Sequence, residues 1–120
     1  MFPEAKILEL VDQGLLRTAA AVIDSRADRP LVLRILRAQI ESHIGNPATA
    51  RQLAEAHLGE RLSPGDAAAC WEVIGRVRLG SGDIAGGVAV LRRALQYALE
   101  SKQPLIEARL RVRLAEALLH

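Results

Sequence analysis

Three histidines and one cysteine are the residues of this 120-residue chain whose types could bind a metal or act as base and nucleophile. His43, His57 and His120 lie far apart, and none has a histidine or cysteine partner at i+4. A metal site built on helices needs such convergent donors. Cys70 has no second cysteine to pair with, so neither an internal disulfide nor a Cys-x-x-Cys site can form. It stands beside Trp71 in an apolar helical stretch, where a thiol packs as a small hydrophobe. His57 falls at a helix-contact position, and a partly buried, hydrogen-bonded histidine is expected there. Gly80, Ser81 and Gly82 lack the Lys-Ser/Thr that follows a phosphate-binding glycine loop, and no G-x-S-x-G occurs. The carboxylates show no acid/base pairing by spacing. The expectation is therefore a protein that is not an enzyme, with no metal and no cofactor.

The charged residues offer recognition chemistry instead. Arg76, Arg78, Arg92, Arg93, Arg109, Arg111 and Arg113 gather in the C-terminal half. Glu72, Glu100, Glu107 and Glu116 are interleaved with them, the pattern of a salt-bridged surface. The net charge is only +2, from 16 basic and 14 acidic residues. A nucleic-acid surface wants a denser basic stripe and stacking aromatics. Here the aromatics are Phe2, Trp71 and Tyr97 alone, which argues against nucleic acid as a partner. The longest apolar runs, such as Ala19 to Ile23, fall far below the roughly 18 residues of a membrane span. No signal peptide is evident after Met1. No membrane role and a cytoplasmic setting are expected.

These groups must be positioned by helices. Half of the residues are hydrophobic but few are aromatic, so the core must come from Leu, Ile, Val and Ala. Alanine lets helices approach closely and favours the helix itself. Pro30, Pro47, Pro64 and Pro104 each precede helical periodicity, where a missing N–H is harmless. Asn46 and Ser63 are suited to cap two of these helices, with Asp66 completing a capping-box-like pair with Ser63. Seven helices are predicted, at about 3–12, 16–26, 30–44, 47–60, 64–79, 83–101 and 104–119. Ile84, Val88, Leu91, Leu95 and Ala98 give the sixth a clear apolar stripe. Short connections make successive helices antiparallel. No linker divides the chain, so residues 1–120 form a single domain.

Gly14, Gly45 and Gly82 punctuate this order, 31 and 37 residues apart, each between two apolar periodic stretches. Such self-similarity marks a stacked repeat. The stretch from Trp71 to Ala94 resembles the tetratricopeptide repeat. Trp71, Ile74 and Gly75 match the Trp and Leu-Gly positions of its first helix, and Gly87, Leu91 and Ala94 stand at the Ala, aromatic and Ala positions of its second. Arg78 and Leu91 replace aromatics of the motif, and Pro104 falls about five residues late, which lengthens the second helix. Ala38 and Ala50 repeat the small positions in an earlier copy, and Leu114-Ala115 repeats Ile74-Gly75 in the last helix.

The resemblance implies an all-α, right-handed superhelix of antiparallel helix pairs, about three and a half repeats, within a longer solenoid. It implies a protein–protein interaction module, with the long period resembling repeats of bacterial regulatory and signalling proteins, transcription regulators among them. The alternative is a regulatory domain that senses a small molecule or short peptide. In this family the first helix of each pair lines a concave groove for a partner peptide. By register its polar residues here are Gln39, Ser42, His43, Glu72, Arg76, Arg109 and Glu116. Arg76 and Arg109 should face the same side and favour an acidic partner. Glu4 and Leu8 stand where the co-chaperone branch has its carboxylate clamp, which argues against that branch.

The last helix is apolar on two sides. Ile106, Leu110, Leu114, Ala117 and Leu118 form one face; Leu105, Ala108, Val112, Ala115 and Leu119 form the other. Two apolar faces call for two neighbours. The expectation is either a longer solenoid or a homo-oligomer, with Ile106, Leu110, Leu114 and Leu118 as the self-association surface.

Overall fold

A computed structural model describes residues 4–119; His120 and the start assigned to position 3 lie outside the described residues. Among the described residues there are seven helices and no strand: α1 (Glu4–Asp12), α2 (Leu16–Asp24), α3 (Leu31–Ile44), α4 (Pro47–Leu58), α5 (Pro64–Gly80), α6 (Ile84–Ser101) and α7 (Pro104–Leu118). The boundaries follow local chemistry. Gly14, Gly45 and Gly82 are the glycines with positive φ, at 78°, 92° and 91°. That left-handed geometry, open to glycine without steric strain, closes one helix and releases the chain toward the next.

The caps differ from expectation in detail. Ser63 Oγ accepts a hydrogen bond from the Asp66 amide, as its spacing suggests. Asn46 makes no side-chain cap bond. Pro30 is extended at ψ 161° and sits just before α3 instead of opening it. Asp83 caps α6 by accepting from the Gly86 amide at 2.9 Å. Gly86 and Gly87 therefore serve different ends. A Cβ on Gly86 would strike the capping Asp83 carboxylate, whereas one on Gly87 would lie 2.6 Å from Leu79. Gly75 faces Gly87 across the α5–α6 crossing, and a Cβ on it would lie 2.8 Å from Leu91.

Each helix packs on the next in sequence, and α3 also packs on α5. The core is a relay of three apolar clusters. Ile7, Ala19, Ile23, Leu33 and Ile40 join α1, α2 and α3. Ile35, Ala38, Ala50, Ala54, Val73 and Val90 join α3 to α6. Ala68, Leu91, Ala94, Ala98, Leu110 and Leu114 join α5, α6 and α7. Trp71 is half-buried, not fully enclosed, and packs against the last two clusters. Its ring carries the Arg93 guanidinium 4.5 Å from the centroid, a cation–π contact.

The third cluster corrects the surface assigned to α7. Leu110 and Leu114 are buried in the chain's own core and Ile106 packs against it, so three of the four self-association residues are already covered. Of that set only Leu118 is exposed. The open apolar row is the other face, with Leu105 and Leu119 each 86% exposed and Val112 at 56%.

Candidate functional site

A cavity of about 150 Å³ is lined by Gln39, Ser42 and His43 from α3, Glu72 and Arg76 from α5, and Arg109 and Arg113 from α7. Six of the seven polar residues assigned by register thus come together. Glu116 lies instead in a neighbouring depression, which it shares with Arg76 and Arg113. Arg113 is the member the register missed. It stands one turn beyond Arg109 on α7, and that i+4 spacing was its signal.

Glu72 organises the cluster. Its carboxylate is buried and accepts from Arg109 Nε and Nη2, at 3.0 and 2.8 Å, and from Arg113 Nε at 2.9 Å. Charge-assisted and bidentate bonds of this kind hold both guanidiniums in place. Arg76 is bound differently. Its Nη1 lies 2.7 Å from His43 Nε2 and its Nη2 lies 3.0 Å from Nδ1. A guanidinium only donates, and a neutral imidazole accepts through one nitrogen, so one of these contacts is a hydrogen bond and the other a packing contact. Burial, then the Arg76 and Arg113 charges and last that of Arg109, push the His43 pKa below its ordinary value, while Glu72 opposes them. His43 is accordingly neutral at pH 7. Burial and the charges of Arg113 and Arg109 also lower the pKa of Arg76, which remains a cation.

The balance is three guanidiniums against one carboxylate, and Arg76 forms no ion pair with a carboxylate among the described residues. The arrangement can bind an anion. Ser42 has less to offer, because its hydroxyl donates to the Gln39 carbonyl at 2.7 Å.

The other reactive side chains are placed elsewhere. Cys70 is buried and its thiol is pushed up to about 11, chiefly by burial and then by Asp66 and Glu60. His57 is buried, but its Nδ1 has no hydrogen-bond partner among the described residues, against expectation; Glu60 Oε2 is 3.8 Å away. No cluster of three or more potential metal ligands occurs among the described residues. No helix among them is long and apolar enough to cross a membrane.

A second cavity of about 220 Å³ adjoins the first through Leu36 and Gln39. Leu8, Val32, Leu36, Ala69 and Ile106 give it an apolar wall, with Glu4 and Asp66 among its polar residues. Along α1, α3, α5 and α7 alike, earlier residues line the apolar cavity and later residues the basic one. These four helices therefore run in the same direction, as alternate members of an antiparallel series do. No protein-family model matches the chain, and no curated protein or solved structure matches it either.

Proposed function

We propose that this chain is a protein-interaction module of the tetratricopeptide-like kind, its helix pairs wound into a right-handed superhelix, and that it binds an acidic peptide on the face made by α1, α3, α5 and α7. The observation that carries this reading is the excess of positive charge in the cavity, with Arg76 paired to a neutral imidazole instead of a carboxylate. A guanidinium partly removed from water gains most from a charged, bidentate acceptor, which an Asp, Glu or C-terminal carboxylate supplies. The cavities of about 150 and 220 Å³ adjoin along one helix face, and a depression of about 370 Å³ shares Arg76 and Arg113 with the first. A row of linked depressions suits an extended peptide with several side chains better than one compact molecule, which favours a peptide over the small-molecule sensor. The reading assigns the chain no catalytic step and no cofactor. It places the protein in the cytoplasm, where an isolated thiol such as Cys70 stays reduced.

The test is fluorescence anisotropy of a fluorescein-labelled oligoglutamate peptide titrated with the whole chain, beside an oligolysine control. Arg76→Glu should abolish oligoglutamate binding while leaving the melting temperature nearly unchanged. Unaltered binding by this variant would remove the reading.

A further inference from the structure

Two cavities in contact, one basic and one apolar, constrain a ligand more than either does alone. Resting on the acidic-peptide reading above, we infer that the ligand presents one large apolar side chain and one carboxylate at a set separation, the apolar group seated between α3, α5 and α7 and the carboxylate at Arg76.

Room for the apolar group is present. A cavity of about 150 Å³ holds a benzene-sized group, so about 220 Å³ admits a leucine, methionine or phenylalanine side chain. Leu8 and Val32 are about half exposed in the free chain, so apolar surface is left open there. The charges give the site a polarity. Glu4 and Asp66 stand at the apolar cavity, where they repel a carboxylate, and the guanidinium excess stands at the other. An acidic peptide is thereby held in one orientation.

The helices supply the ruler. From Ile106 to Arg109 and Arg113 along α7 is three to seven residues, about 5–10 Å at the helical rise. From Ala69 to Arg76 along α5 is seven residues, again about 10 Å. An extended peptide covers that span in about two to three residues. The predicted ligand is therefore a short segment with Leu, Met or Phe two to three positions from Asp or Glu.

The experiment uses labelled Gly/Ser decapeptides carrying one Leu and one Glu, separated by one to seven positions, and a leucine-free control. Affinity for the whole chain, read by anisotropy, should peak at a separation of two to three. The best peptide should bind about tenfold tighter than the control, the scale of partly burying one leucine. Leu8→Ser with Val32→Ser should erase the leucine advantage and keep the glutamate-dependent binding. Val32→Phe, which narrows the cavity without adding polarity, should do the same and guards against misfolding of the serine pair. A flat dependence on separation, or a leucine advantage that survives both variants, overturns the inference while leaving the acidic-peptide reading intact. Binding of every peptide that is indifferent to Arg76→Glu, or no binding at millimolar concentration, overturns both.

Discussion

Glu72 holds two arginines that an incoming carboxylate would also use, so replacing it should move stability and binding in opposite directions. Glu72→Gln keeps the shape and one acceptor oxygen but removes the charge. The Glu72 side chain is 5% exposed, whereas Arg113 is 26% and Arg109 44% exposed. Breaking a fully buried pair costs about 3–5 kcal/mol and an exposed one about 0–1. With one buried partner and two that can rehydrate, the loss should be about 2 kcal/mol. In a domain of this size that lowers the melting temperature by about 6–10 °C. Binding should strengthen, because three guanidiniums then face the cavity with no carboxylate among them. One unit charge at a few ångströms, screened as near a protein surface, is worth about 1–2 kcal/mol, or about tenfold in affinity for oligoglutamate. Thermal denaturation and anisotropy on the same preparation measure both. A variant that loses stability and also loses affinity would show that Glu72 shapes the arginines for the ligand, and the competition argument would fail. Unchanged stability would show that the three hydrogen bonds contribute nothing in solution.

Four further outcomes follow from the packing and the charges. Gly75→Ala should lose about 1–2 kcal/mol in denaturant titration, since overpacking against buried Leu91 exceeds the gain in helix propensity; Gly80→Ala, with nothing within 4 Å, should gain up to about 1 kcal/mol. Leu110→Ala should lose about 2–5 kcal/mol, whereas Leu119→Lys should stay within about 0.5 kcal/mol, and equal losses would place the wrong face of α7 in the core. Lys102 ends α6 in left-handed geometry at φ 55°, so Lys102→Gly should raise stability by about 1 kcal/mol. Because the folded pKa of His43 is depressed, the unfolded chain binds the extra proton first, and this contribution to stability is full above the ordinary histidine pKa and lost as pH falls below it. Chemical denaturation from pH 8 to 5 should show that slope, and His43→Gln should reduce it.

Local chemistry was enough to place the helices. Prolines that can only begin a helix and glycines that can turn left-handed act within a few residues of themselves, so Pro47, Pro64, Pro104, Gly14, Gly45 and Gly82 mark the elements wherever the chain later packs. The 3.6-residue period likewise brought Gln39, His43, Glu72, Arg76 and Arg109 to one side of their helices before any contact was known. The period could not say which apolar face of α7 meets the core. Both faces carry leucines at helical spacing, and only the position of α6 decides that Leu110 and Leu114 are buried while Leu105, Val112 and Leu119 face solvent. Nor could it pair Glu72 with Arg109 and Arg113, which lie 37 and 41 residues away, or leave Arg76 with His43 across 33. Charge pairing acts over a few ångströms in space, and separation along the chain carries no such distance until the helices are stacked. The neutral histidine and the uncompensated arginine are therefore products of the tertiary structure.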